Sequence, residues 1–143
     1  MTVRFYNIHP SIRLHLQFSQ VKNCIQQLAK LEGCNIGNIS VIFCDNHYIY
    51  QLNSAYLKHF YPTDVITFDY TEGKRLSGDI FIGLDVVNSN AKRLGVTFRD
   101  ELLRVVLHGV LHLCGYKDKT VRQKMLMRAK EDYYLKMCCE NEG

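Results

Sequence analysis

Proline is scarce in this chain of 143 residues, and no low-complexity segment or internal repeat interrupts it. Nearly half the residues are apolar, which is the composition of a folded domain, and nothing in it suggests disorder. No apolar run is long enough to span a bilayer. The opening MTVRFYNIHPSIRL lacks a continuous apolar segment, so no secretory signal is expected. Six cysteines (24, 34, 44, 114, 138 and 139) form no C-x-x-C pair. Without a signal, reduced buried thiols and a cytoplasmic location are expected. The length suits one domain over residues 1–143, with a single well-filled core.

What is present is periodic. Val3 and Phe5 alternate with Thr2, Arg4 and Tyr6, the pattern of a half-buried strand. From Ser19, the positions Val21, Cys24, Ile25, Leu28 and Leu31 step by three and four and predict an amphipathic helix ending near Gly33. Residues 39–44 read as a second strand; a helix follows, capped by Asp45 or Asn46, with Ile49, Leu52 and Tyr56 inward. Residues 57–62 are loop. Residues 65–68 and 78–83 read as strands three and four, and the turn chemistry of residues 71–74 makes them an antiparallel hairpin. Val86, Val87, Asn90, Ala91 and Leu94 mark a helix closed by Gly95.

Thr97 with Asp100 opens the next helix, which Leu102, Leu103, Val105, Val106, Val110 and Leu111 surround with apolar side chains. It is predicted to be the buried central helix. Thr120 with Gln123 opens a last helix, whose apolar positions are Val121, Met125, Ala129, Tyr133 and Met137. The order βαβαββααα implies an α/β (α+β) fold: one mixed four-stranded sheet with helices packed on it.

The central helix carries the chemistry. His108 and His112 are four apart and share a face. Gly115 sits where a helix ends in a left-handed conformation, and the turn can bring Asp118 back towards the two imidazoles. The pattern H-x-x-x-H-x-x-G-x-x-D supplies two nitrogen ligands and one oxygen ligand from a single segment. It leaves a coordination position open. Composition alone would produce the full pattern about once in five hundred such chains. A lone histidine on an apolar helix is more often a satisfied core residue; the constellation favours metal. Gly109 inside the helix costs about 1 kcal/mol relative to alanine, which close packing or substrate clearance beside His108 would explain.

The formal charge of +4 is mild but uneven, with Lys117, Lys119, Arg122, Lys124, Arg128 and Lys130 crowded behind the motif. Such runs are usually a solvated helix face. Beside a metal site they point to an anionic, phosphate-bearing substrate.

The run HGVLHLCGYKD, residues 108–118, resembles the signature H-G-x-L-H-L-x-G-Y-D-H of the YbeY family of bacterial endoribonucleases and ribosomal-RNA maturation factors. Leu52-Asn53 with Tyr56, then Pro62-Thr63-Asp64-Val65 and Phe68, is similar to that family's second block, and Ser77-Gly78-Asp79-Ile80 to its third. The resemblance implies an α/β fold around a mixed sheet and one zinc-type ion held by His108, His112 and Asp118. Two positions depart from the pattern. The third ligand is Asp118 where the family has histidine, preceded by Lys117 where it has aspartate. Carboxylate is an accepted zinc ligand, though its charge makes a bound water less acidic and favours harder metals. Leu57 stands where the family has an arginine tied to nuclease activity, with Lys58 and His59 adjacent.

Three functions follow. H-E-x-x-H peptidases need a glutamate beside the first histidine, and Gly109 in that place excludes their mechanism. Phosphodiester hydrolysis makes no such demand, because the metal polarises a phosphoryl oxygen or acidifies a bound water. The leading expectation is therefore metal-dependent cleavage of single-stranded RNA in ribosomal-RNA maturation, through Zn2+ or another divalent ion. Lys58, Lys117, Lys119, Arg122, Lys124 and Arg128 are the candidate RNA contacts, with Tyr61, Phe68, Tyr70 and Tyr116 available to stack on bases. The alternative is a ribosome-assembly factor that binds RNA around a structural metal. A third is a hydrolase of small phosphorylated metabolites.

Overall fold

The structure, a computed structural model, describes residues 2–140, so the ends of the expected 1–143 domain lie outside the described residues. The elements follow the predicted order: β1 (Thr2–Asn7), α1 (Phe18–Leu31), β2 (Asn35–Cys44), α2 (Asn46–Leu57), β3 (Val65–Asp69), β4 (Arg75–Gly83), α3 (Leu84–Leu94), α4 (Phe98–Leu113) and α5 (Val121–Glu140). The sheet runs β1-β2-β4-β3. β1, β2 and β4 are parallel, and β3 returns antiparallel along β4 as the hairpin expected. β2 and β4 begin earlier than their hydrophobic patterns suggest. Asn35 pairs with Arg75 and Ile36 with Leu76 before an irregularity that ends at Ile39. Strand pairing, not side-chain alternation, extends them.

Alternation along the strands divides the core in two. Ile39, Val41 and Phe43 of β2 join Leu76, Ile80 and Ile82 of β4 in the main core, with the inward positions of α1, α3, α4 and α5. A smaller cluster of Cys44, Ile49 and Ile66, backed by Leu52, Phe68 and Phe81, includes the inward residue of α2. Among the described residues no helix is long and apolar enough to cross a membrane.

α4 is the buried helix predicted, with Leu102, Leu103, Val105, Val106, Leu107, Val110 and Leu111 all inside. The Thr97 hydroxyl caps it by accepting from the Asp100 N–H at 3.1 Å. Gly109 is explained by close packing: a Cβ there would meet Cγ2 of Ile80 at 2.7 Å. The glycine lets α4 settle onto β4 beside the histidines.

Three expectations need correction. The inward face of α5 is Met127, Glu131, Tyr134 and Cys138, whereas Val121, Met125 and Tyr133 are exposed. The apolar residues mark the wrong side because a buried glutamate occupies the true one. Leu31, Tyr56 and Leu94, at the last turns of their helices, are exposed as well. Cys24 of α1 and Cys138 of α5 are joined in a disulfide, with Cα atoms 5.6 Å apart. Six free thiols were expected; Cys34, Cys44, Cys114 and Cys139 are free. The pairing follows from the packing of α1 against α5, which brings two inward positions face to face.

Candidate metal centre

α4 ends in a Schellman turn. The Gly115 N–H donates to the His112 carbonyl at 3.0 Å and the Tyr116 N–H to the Leu111 carbonyl at 3.1 Å. Gly115 has φ +105°, a conformation that a side chain would strain. The chain doubles back from there, and Asp118 reaches the histidine face. Its Oδ2 lies 3.3 Å from Nε2 of His108 and 3.3 Å from Nε2 of His112. The two rings meet edge to face, their centroids 4.6 Å apart. One donor atom from each of the three residues lies within 4.8 Å of the others, and all three side chains are half-buried.

The His108 ring is held from behind by a residue that sequence patterning missed. Glu131 of α5, 6% exposed, accepts from Nδ1 of His108 at 2.6 Å. Arg104 binds the other oxygen of that carboxylate at 3.1 Å and Asp132 at 2.7 Å. With Nδ1 committed, Nε2 of His108 is the nitrogen left for a metal, the arrangement common behind metal-bound imidazoles. Burial works against protonating His108. The Glu131 hydrogen bond and the charges of Glu131, Asp118 and Asp64 outweigh it and raise the pKa of the ring. The donor set of two nitrogens and one carboxylate oxygen fits a divalent metal ion.

Cys114 does not complete a fourth position. Its thiol is not among the donor atoms that converge there and lies beside Cys34, where burial pushes it up to about 12. Among the described residues the cluster has three members.

The cluster lies in a cleft of about 790 Å³ between β3, α4 and the start of α5. Lys117, Lys119 and Arg128 line it, together with Asp64, Thr67, Asp69 and Glu101. Lys58, Arg122 and Lys124 are exposed but lie outside the lining, and Lys130 is turned away to Glu32. Of the aromatic candidates Tyr116 lines the cleft. Tyr61 and Tyr70 are exposed elsewhere, and Phe68 packs under α2. Burial raises the pKa of Glu101, with Arg104 opposing and the charges of Asp64 and Glu131 adding to it.

The family model described as Endoribonuclease YbeY matches residues 7–138. The chain belongs to the YbeY endoribonuclease family. Among its relatives, Endoribonuclease YbeY of Flavobacterium johnsoniae is 50% identical over 106 residues, covering 74% of this chain and 76% of that one. That of Cytophaga hutchinsonii is 43% identical over 137 residues, 95% of each chain. The solution structure of TM1509 from Thermotoga maritima matches the fold with a TM-score of 0.70 at 27% identity, covering 98% of this chain and 91% of that one.

Leu57 also lines the cleft. The buried Asn53 of the second block fixes the loop that follows. Its amide donates to the Tyr61 carbonyl at 2.8 Å, and its own carbonyl accepts from the His59 N–H at 3.1 Å, with Lys58 left-handed between them. Glu131, Arg104 and Glu101 were not singled out in the sequence. The one available signal was spacing: residues 101, 104 and 108 share a face of α4, so the charges beside His108 were readable as cleft residues.

Proposed function

We propose that this chain is a metal-dependent endoribonuclease that cuts single-stranded RNA, with ribosomal RNA as its substrate, and that residues 1–143 form one hydrolase domain. The observation that carries the reading is the convergence of His108, His112 and Asp118 in the cleft, with Glu131 behind. A zinc-type ion held by those three residues would supply Lewis-acid polarisation of a phosphodiester.

The chain's own side chains do the rest. Glu131 holds the His108 ring by its Nδ1 proton and keeps Nε2 turned to the cleft. Lys117, Lys119 and Arg128 bind the phosphates on either side of the scissile bond, the contacts that set the register of an RNA strand. Glu101, whose carboxyl is pushed up by burial, is suited to hold a proton within the cleft.

A purely structural metal is disfavoured because such sites are normally closed by four protein ligands, and here Cys114 faces Cys34. The ribosomal-RNA substrate implies a cytoplasmic location. The deciding experiment is cleavage of a defined single-stranded RNA with and without chelator, beside His112→Ala. Cleavage by the wild type alone, abolished by chelator and restored by divalent ion, is expected. Chelator-resistant cleavage would reject the metal, and tight RNA binding without cleavage would favour the assembly-factor alternative.

A further inference from the structure

Asp118 is the weakest-held member of the metal triad by its own backbone: it sits in a short loop past a glycine hinge, not on a helix. Two clamps bracket it. On the downstream side, the Gln123 side chain accepts from the N–H groups of Lys119 and Thr120 at 3.0 and 3.1 Å. On the upstream side, the Tyr116 hydroxyl donates to Oε1 of Glu32 at 2.5 Å. Glu32 follows α1 directly, 84 residues away in sequence, and its backbone N–H donates to the Leu28 carbonyl at 2.9 Å. Its other oxygen accepts from Lys130 at 3.1 Å and from the buried Tyr134. Burial pushes the Glu32 carboxyl up, but the three donors outweigh it and hold it below its ordinary value. It is therefore an ionised acceptor with every near donor engaged.

We propose that Glu32 is a positioning residue for the metal centre: by anchoring Tyr116 to α1 and α5, it fixes the loop that presents Asp118 to His108 and His112. The proposal rests on the reading that those three residues hold a divalent ion. α5 then backs the site twice, through Glu131 on His108 and through Lys130 and Tyr134 on Glu32. A carboxylate is needed because three donors converge on it; a neutral amide offers one acceptor oxygen and brings donors of its own.

The test is zinc affinity, measured by competition with a chromophoric chelator well below the unfolding temperature. Glu32→Gln and Tyr116→Phe should each weaken zinc binding about 10- to 100-fold, the usual loss when a ligand's support is removed. In an Asp118→Asn background Glu32→Gln should change the affinity less than about threefold, because the ligand through which it acts is gone. Wild-type affinity in both single variants with a lowered Tm would overturn the proposal and leave Glu32 a structural tie. An equal loss in the presence and absence of the Asp118 carboxylate would overturn it too. A wild type that binds no divalent ion overturns the metal reading and this inference together; a wild type that binds beside variants that bind equally overturns the inference alone.

Discussion

His9, just past β1, and His108, in α4, are each pinned by an acidic side chain, and both lie mostly inside the molecule. At His9 both ring nitrogens are used up. Nδ1 accepts from the N–H groups of Ser11 and Ile12 at 3.1 and 2.9 Å, and Nε2 faces both oxygens of Asp85 at 3.2 Å. That histidine closes a loop and has nothing left to offer. At His108 the acid takes Nδ1 alone, and Nε2 points at a second imidazole and a second carboxylate. A neighbouring carboxylate does not mark a functional histidine; an unspent nitrogen aimed at other ligands does.

The largest effect should come from removing one imidazole of each kind. His108→Ala is expected to lose its metal to background and to stop cutting RNA. His9→Ala should keep both and lose about 0.5–1.5 kcal/mol of stability, the ordinary net worth of a hydrogen bond, because the N–H groups it frees at Ser11 and Ile12 are exposed or only partly buried. Metal loss in His9→Ala, measured by elemental analysis, would erase the distinction. Next in size is Glu131→Gln, which keeps an acceptor for Nδ1 but removes the charge. Metal affinity should fall about 10- to 100-fold. An unchanged affinity would show that the His108 ring orients itself.

Counting thiols tests the tie between α1 and α5. After unfolding without reductant, four of the six cysteines should react, and all six after reduction. Six reactive thiols from the start would remove the disulfide. The smallest effect concerns phosphate contacts. Neutralising Arg128, which lines the cleft, should lower the slope of log affinity against log salt by about one; neutralising Lys124, outside the lining, should leave it. Equal slopes for both variants would make the whole basic run a solvated face.

Much of this was legible in the chain. The Thr97 and Thr120 capping signatures, the apolar girdle of α4 and the local spacing of His108, His112, Gly115 and Asp118 all act over a few residues, so sequence reports them directly. The inward face of α5 was not legible, because hydrophobic periodicity places a glutamate outside by default. Glu131 is inside only because Arg104 and His108, more than twenty residues away, satisfy it. Glu32 was hidden for the same reason. Its partners come from the α4–α5 loop and from α5, and no local pattern announces a carboxylate that three distant donors will share. The residues that hold the ligands in place were thus the ones the sequence concealed.

Asp118 is where the account is most exposed. Asp118→Asn keeps the shape of the side chain and removes the anionic oxygen that both imidazoles face at 3.3 Å. Asp118→His should retain or raise zinc occupancy, since imidazole suits zinc well. The direct measurement is metal content by elemental analysis of the wild type and Asp118→Asn at matched protein concentration. About one ion per chain in the wild type and a sharp drop in the variant is the result expected for a three-ligand site. Equal metal content in the two proteins would contradict it and leave Asp118 a carboxylate that merely pairs with the two imidazoles.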